Sequence, residues 1–287
     1  MTNNIMNQKE QINEKRSDII SHPRELIDLR ELFVLLTYQC NGNCKFCIEK
    51  RIHEKGFLSS ENFEKALCFA REKGLTTIFL HGGEPSIHPK VVEFAKKAKD
   101  AGFLVKMFTN GIARKKIEEL DGILDEIIIS YRGDYSLTYK QEEWKTPLTL
   151  QILVTESEYS TLEELILFLE EAQKITGMTV RVNTLNPVNQ YSYDNQYVSY
   201  LEEIFLKSQD EQIFCASNKA VIRIKGFGIR MSNKMLNPLH LKYSMTPYGE
   251  IQNNFERHFE DIKKNVEMEK LLEASQEKLI RLRERRI

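Results

Sequence analysis

Three of the chain's five cysteines fall within eight positions, in "CNGNCKFC" at residues 40–47. Thiolates select soft metals, so Cys40, Cys44 and Cys47 could serve zinc, an iron–sulfur cluster, or no metal at all. A structural zinc takes four protein ligands, and the nearest spare candidates are His53 and Cys68. Cys44-x2-Cys47 fits a zinc knuckle, whereas Cys40 adds a third thiol in a loop too tight for the usual second half. A four-iron cluster on three cysteines leaves one iron without a protein ligand, open to an amine and a carboxylate. A second polar group is "HGGEP" at residues 81–85. Gly82 and Gly83 would let backbone carbonyls approach a ligand, and Glu84 offers a carboxylate to an ammonium. Taken alone, that run reads as a strand-ending turn.

The elements that must position these groups follow from apolar periodicity. "LFVLLT" (32–37) is a continuous apolar run of the kind that forms a strand buried on both faces, and it leads straight into Cys40. "SSENFEKALCFAREKG" (59–74) reads as a helix with serine caps, early acids, a stripe of Phe63, Leu67 and Ala70, and Gly74 as its stop. Further strands are expected at 76–85, 103–111, 125–133, 148–157 and 178–187, with helices at 88–102, 113–122 and 160–177. Such alternation implies parallel strands joined by right-handed crossovers: an α/β fold, a partial (β/α)6 TIM-like barrel. Functional residues of that architecture gather at the C-terminal ends of the strands. The cysteines, "HGGEP", "TNG" (109–111) and "SYRGD" (130–134) all follow strands.

After Pro187 the pattern changes. A helix is expected over 196–208, "AVIRIKGFGIRMS" (220–232) reads as two short strands joined through Gly226 and Gly228, and "KYSMTPYGEIQ" (242–252) as a hairpin turning at Pro247 to Gly249. Residues 255–287 are helical by composition. The resulting division is an N-terminal arm (1–30), a barrel core (31–190), and a β-rich C-terminal cap with a terminal helix (191–287), placed over the open edge or mouth of the barrel.

The spacing C-x3-C-x2-C, with Phe46 before the last cysteine, followed by Gly-Gly-Glu-Pro at the next strand end, resembles the radical S-adenosylmethionine (SAM) superfamily. The resemblance covers roughly residues 30–190. It implies a [4Fe–4S] cluster on Cys40, Cys44 and Cys47 whose open iron chelates the methionine part of SAM. It also implies SAM contacts from Phe46, Gly82, Gly83 and Glu84, and at more weakly matching positions from Asn110, Ser130 and Asn183. The activity implied is reductive cleavage of SAM to a 5′-deoxyadenosyl radical that takes a hydrogen atom from a small-molecule substrate. An external electron donor such as flavodoxin or ferredoxin is then required.

The chain departs from larger relatives in lacking their extra cysteines. Peptide-modifying members resemble "TPYGEI" in a hairpin followed by a cysteine, whereas Gln252, Asn253 and Asn254 follow here. Cys68, within the first helix, is expected to be a buried inert thiol. Cys215 in "IFCASNK" is a candidate hydrogen donor to a substrate radical, against the plainer reading of a core cysteine. Modification of a ribosomally made peptide is the alternative substrate class, and a non-catalytic zinc-binding interaction module is the alternative of another kind.

Composition narrows the rest. With 41 basic and 42 acidic residues the net charge is −1, so no overall field gathers nucleic acid or anionic lipid. No apolar run approaches the roughly 18 residues of a membrane span, and the first twenty residues lack a signal-peptide core. A cytoplasmic protein is expected, with an odd number of cysteines serving metal rather than disulfides.

Overall fold

A computed structural model describes residues 31–44, 47, 56–154, 161–183, 210–216, 219–224, 227–232 and 243–253. Six strands, β1 (Glu31–Leu35), β2 (Thr77–His81), β3 (Leu104–Thr109), β4 (Glu126–Ser130), β5 (Leu148–Leu153) and β6 (Thr179–Asn183), pair in parallel and in chain order. They are joined by α1 (Ser60–Glu72), α2 (Val91–Asp100), α3 (Arg114–Glu118) and α4 (Leu162–Thr176), with short 3-10 turns at Pro85–Ile87, Asp134–Thr138 and Gln141–Glu143. The expected strands and helices are present and mostly shorter. Helix α2 starts at Val91 rather than 88 because His88 and Lys90 close the preceding 3-10 turn.

Local chemistry sets the helix ends. Ser59 caps α1 by accepting from the Asn62 N–H, and Thr161 with Glu164 forms a reciprocal capping box on α4. Gly177 closes α4 in the left-handed conformation at φ 65°.

Period-two alternation divides the sheet into two faces. One face carries Leu32, Val34, Ile78, Leu80, Val105, Met107, Ile127, Ile129, Leu150 and Ile152, all fully buried against the helices. Phe63 of α1 and Phe94 of α2 stack there with centroids 4.2 Å apart. The other face, inner in a barrel, carries the stacked rings of Phe33, Phe79 and Phe108. Beside them Glu126 bridges Lys106 at 3.0 Å and Arg181 at 3.2 Å and accepts from Thr149 at 2.7 Å.

The C-terminal strands do not form one cap. Strands β7 (Asp210–Ala216), β8 (Lys219–Ile224) and β9 (Phe227–Ser232) form an antiparallel meander whose last strand pairs in parallel with β6. Strands β10 (Tyr243–Met245) and β11 (Ile251–Asn253) form the expected hairpin, and β10 pairs in parallel with β1. The sheet therefore has eleven strands in the order β11-β10-β1-β2-β3-β4-β5-β6-β9-β8-β7. Both edges of the six-stranded core are extended, because each presents unpaired backbone groups that a further strand satisfies. Gly228 lies within β9 rather than in the turn. The expected helices at 196–208 and 255–287 lie outside the described residues. Among those described, no helix is long and apolar enough to cross a membrane.

Candidate functional site

Strand β1 delivers the chain to Cys40, and the turn after β2 runs directly alongside. Leu36 N–H donates to His81 O at 2.9 Å, Gly83 N–H to Thr37 O at 2.7 Å and Glu84 N–H to Gln39 O at 2.9 Å, so the pairing of β1 and β2 continues past both strand ends. The glycines are required by this contact. A Cβ on Gly83 would collide with the carbonyls of Tyr38 and Gln39, and one on Gly82, which sits at φ 127°, with that of Thr37. The two motifs found in the sequence thus form one continuous surface at the C-terminal edge of the sheet.

Glu84 does not present its carboxylate outward as expected. It is 1% exposed, with Oε1 accepting from Ser86 N (3.0 Å), Ser86 Oγ (2.5 Å) and Thr109 Oγ1 (2.7 Å), and Oε2 from Asn110 N (2.7 Å). Burial pushes its carboxyl pKa up, against the lowering effect of these donors. The reason for the inward turn is that the ends of β2 and β3 each leave backbone and hydroxyl donors that one buried carboxylate satisfies together.

Asn110, which Glu84 fixes, reaches the cysteine loop. Its Nδ2 donates to Asn41 Oδ1 at 2.7 Å and lies 3.6 Å from Cys40 Sγ, which also accepts from Gly42 N–H at 3.2 Å. Desolvation under these groups pushes the Cys40 thiol pKa up, so a metal must displace its proton on binding. Cys40 is exposed, Cys44 and Cys47 are half-buried, and all three are free thiols. Phe46 lies outside the described residues.

Two tyrosines that sequence reasoning missed lock the end of β3 from the segment after β4. Tyr135 donates to Asn110 O at 2.9 Å and Tyr139 to Gly111 O at 2.6 Å. Burial pushes the Tyr139 hydroxyl pKa up to about 12. Their only signal was two aromatics in the polar stretch "GDYSLTY".

Ser130 and Asn183 end β4 and β6, so both stand at the same sheet edge as the cysteines. Ser130 and Asn183 are half-buried, and the Asn183 carbonyl accepts from Val154 N–H at 2.8 Å. His81 ends β2 on the inner face, its ring between Phe33 and Phe108 at 5.9 and 5.1 Å. Gly82 N–H donates to its Nδ1 at 2.5 Å, which puts the proton of the neutral ring on Nε2. His88, by contrast, is buried against Leu58 O at 3.0 Å with its pKa lowered by burial.

One expectation about the remaining cysteines changes. Cys68 is exposed on α1 rather than buried, since the buried stripe runs through Phe63, Ala66, Leu67 and Ala70 and leaves position 68 about 100° round from Leu67. It lies eight residues along α1, about 12 Å from the helix start. His53 lies outside the described residues, and among those described no three His, Cys, Asp or Glu side chains are gathered as a single-ion site requires. Cys215 is in β7, the outermost strand, where its backbone pairs with Ala220. Because β7 runs in the same sense as β6, Cys215 lies toward the same sheet edge as the cysteines; its side chain is outside the described set.

Comparison with known proteins bears on this geometry. The sequence model of the radical SAM superfamily matches residues 34–133, the stretch that carries the cysteine loop, the glycine turn and the end of β3. Over those residues, about a third of the chain, the sequence is that of the radical SAM superfamily. It is 35% identical over 116 residues to a protein of Methanocaldococcus jannaschii named as a glycyl-radical enzyme activating enzyme, a match covering 40% of this chain and 43% of that one. It is 27% identical over 219 residues to a protein of Saccharolobus solfataricus named as a GTP 3′,8-cyclase, covering 69% of each. The chain thus spans less than half the length of the first relative and about two thirds of the second. The fold is also that of Streptococcus suis SuiB bound to SAM, with a TM-score of 0.52 and 14% identity over 79% of this chain and 63% of that one.

The superfamily works with a [4Fe–4S] cluster and SAM, and the residues gathered at this sheet edge suit both. Three free thiols lie on one loop, and Cys40 already accepts two N–H donors of the kind that stabilise a metal-bound thiolate. The adjoining turn is stripped of side chains at Gly82 and Gly83.

Proposed function

We propose that this protein is an enzyme that cleaves SAM reductively and uses the product to take a hydrogen atom from a small-molecule substrate held on the inner face of the sheet. The observation that carries this is the contact between the cysteine loop and the glycine turn, through the bonds Gly83 N–H to Thr37 O and Glu84 N–H to Gln39 O. It supports a site where three thiolates and the backbone of the adjoining glycine turn serve one ligand.

In this reading Cys40, Cys44 and Cys47 hold the cluster. When bound, cluster and SAM together supply a 5′-deoxyadenosyl radical, at the cost of one electron from an external donor such as flavodoxin or ferredoxin. The carbonyls of Gly82 and Gly83, rather than the occupied Glu84 carboxylate, accept from the SAM ammonium. Glu84 acts indirectly, holding Thr109 and Asn110 at the end of β3. Asn110 fixes the Cys40–Asn41 corner and, with Ser130 and Asn183, offers the remaining polar contacts to SAM. Phe46, outside the described residues, is kept in this reading as a further SAM contact. The inner face offers the substrate apolar surface at Phe33 and Phe108 and charge at Lys106 and Arg181. Cys215 gives its thiol hydrogen atom to the substrate radical, and the thiyl radical left behind is returned to thiol by a second electron from the external donor and a proton from solvent.

The test is anaerobic reconstitution with iron and sulfide, then incubation with SAM and dithionite. Formation of 5′-deoxyadenosine, abolished by Cys44→Ala, is the expected result; one tightly held zinc and no cluster would sink the reading. Cys215→Ala should leave SAM cleavage intact and stop product formation, and normal turnover would remove the hydrogen-donor role.

A peptide substrate is the second reading. It is supported by the fold shared with SuiB, also solved bound to the precursor peptide SuiA (TM-score 0.51, 14% identity, 83% of this chain and 63% of that one), and by the β10–β11 hairpin. A precursor-peptide gene beside this one would favour it.

A further inference from the structure

The segment bearing the cysteines is pinched at its base. Leu58 N–H donates to Leu36 O at 2.8 Å, Thr37 Oγ1 donates to Gly56 O at 2.7 Å, and Thr37 and Phe57 form an antiparallel bridge. Tyr38 and Gly56 are therefore the two feet of everything from Gln39 to Lys55.

Tyr248 sits on both feet from almost 200 residues away in sequence. It is at the tip of the β10–β11 turn, which Thr246 closes by accepting from Gly249 N–H at 3.0 Å and donating its own N–H to Glu250 O at 2.8 Å. Its ring lies 6.1 Å from that of Tyr38. The same ring lies flush on Gly56, where a Cβ would stand 3.3 Å from Tyr248 Cε1 and 3.5 Å from its hydroxyl. Next to it, Gly249 at φ 85° packs on the side chain of Asn62 at the start of α1, too close for a Cβ. The ladder between β10 and β1, from Leu32–Tyr243 to Val34–Met245, aims the turn at this place.

We infer that Tyr248 is a positioning residue, the pin by which the C-terminal hairpin clasps the base of the cysteine loop and holds it in the conformation that takes up and retains its metal centre. Thr37 and Leu58 are buried where they close the base by hydrogen bonds, and of the three closing residues only Gly56 is partly open to water. The Tyr248 ring, 45% exposed on its outer side, covers Gly56 with its inner side, and its contacts with Gly56 and Tyr38 resist the parting of the two feet. The hairpin, whose counterpart in larger relatives precedes a cysteine, here serves the cysteine loop mechanically. The inference rests on the reading of Cys40, Cys44 and Cys47 as cluster ligands only where iron is measured.

Two readouts test it on the full chain. In the metal-free protein, trypsin has Lys45, Lys50, Arg51 and Lys55 within the loop. Tyr248→Ala should raise cleavage there at least about threefold, as expected when a local opening becomes easier, and Tyr248→Phe should restore the wild-type rate. After reconstitution, Tyr248→Ala should retain about half the iron of wild type or less through desalting, and its reduced cluster should give an altered EPR signal. Leu165→Ala, in the α4 core, is the control for general destabilisation: it should lower Tm without moving either readout. If Tyr248→Ala fails to fold, Gly56→Ala, which wedges a methyl group under the ring, serves instead. Wild-type cleavage and iron retention in the Ala variant, or losses that follow Tm equally in the Leu165 control, would overturn the clasp. Failure of iron uptake in the wild type, with the protease effect present, would instead count against the cluster reading alone.

Discussion

At the scale of single residues, two carboxylates, Glu84 buried and Glu126 half-buried, do opposite things. Glu84 is surrounded by neutral donors and has its pKa raised by burial, so it acts as a bracket between β2 and β3. For Glu126 burial again works to raise the pKa, but the Thr149 hydroxyl, Lys106 and Arg181 outweigh it and hold the carboxyl below its ordinary 4.5. Ionised Glu126 therefore contributes stability above its unfolded pKa, and that contribution is lost as pH falls through the lowered folded value. Glu126→Gln should flatten the acid limb of a Tm-against-pH profile and lower Tm at neutral pH, where Lys106 and Arg181 would face each other without a counter-charge. An unchanged profile between about pH 3 and 7 would show that the trio carries no linkage.

Among the elements, α4 was expected over 160–177 and runs from Leu162 to Thr176, within two residues at each end. Thr161, Glu164 and Gly177 mark its ends in the sequence and are the groups that satisfy its terminal N–H and C=O in the fold. Thr161→Ala should cost about 1 kcal/mol, read as a lower urea midpoint with unchanged slope. Helix α1 was equally legible at its start, yet the role of Cys68 was not. A cysteine among apolar residues looks buried in one dimension, and only the angular position beside Leu67 puts it on the surface. Strand β7 was missed because "DEQIFCA" has no clean alternation and pairs only with β8, at the rim of the sheet.

For the whole molecule, the chain returns from the β6 side to the β1 side of the sheet before it ends, and the hairpin covers the edge of the strand that leads to the cysteines. A chain ended after Ser232 would expose the edge of β1, buried in the full protein beside Met245. Unpaired strand edges template association, so that truncated protein should run as dimers or larger species in light scattering where the full chain does not. The sequence by itself determined the parallel alternation, the cysteine triad and the glycine turn, because each is written in neighbouring residues and in short-range periodicity. Only the tertiary structure decided that Glu84 faces inward, that the C-terminal strands divide between two edges, and that Tyr248 rests on Gly56. The physical reason is distance along the chain. These features depend on which donors, strand edges and ring faces are left unsatisfied once the core has formed, and that remainder belongs to no single stretch of residues.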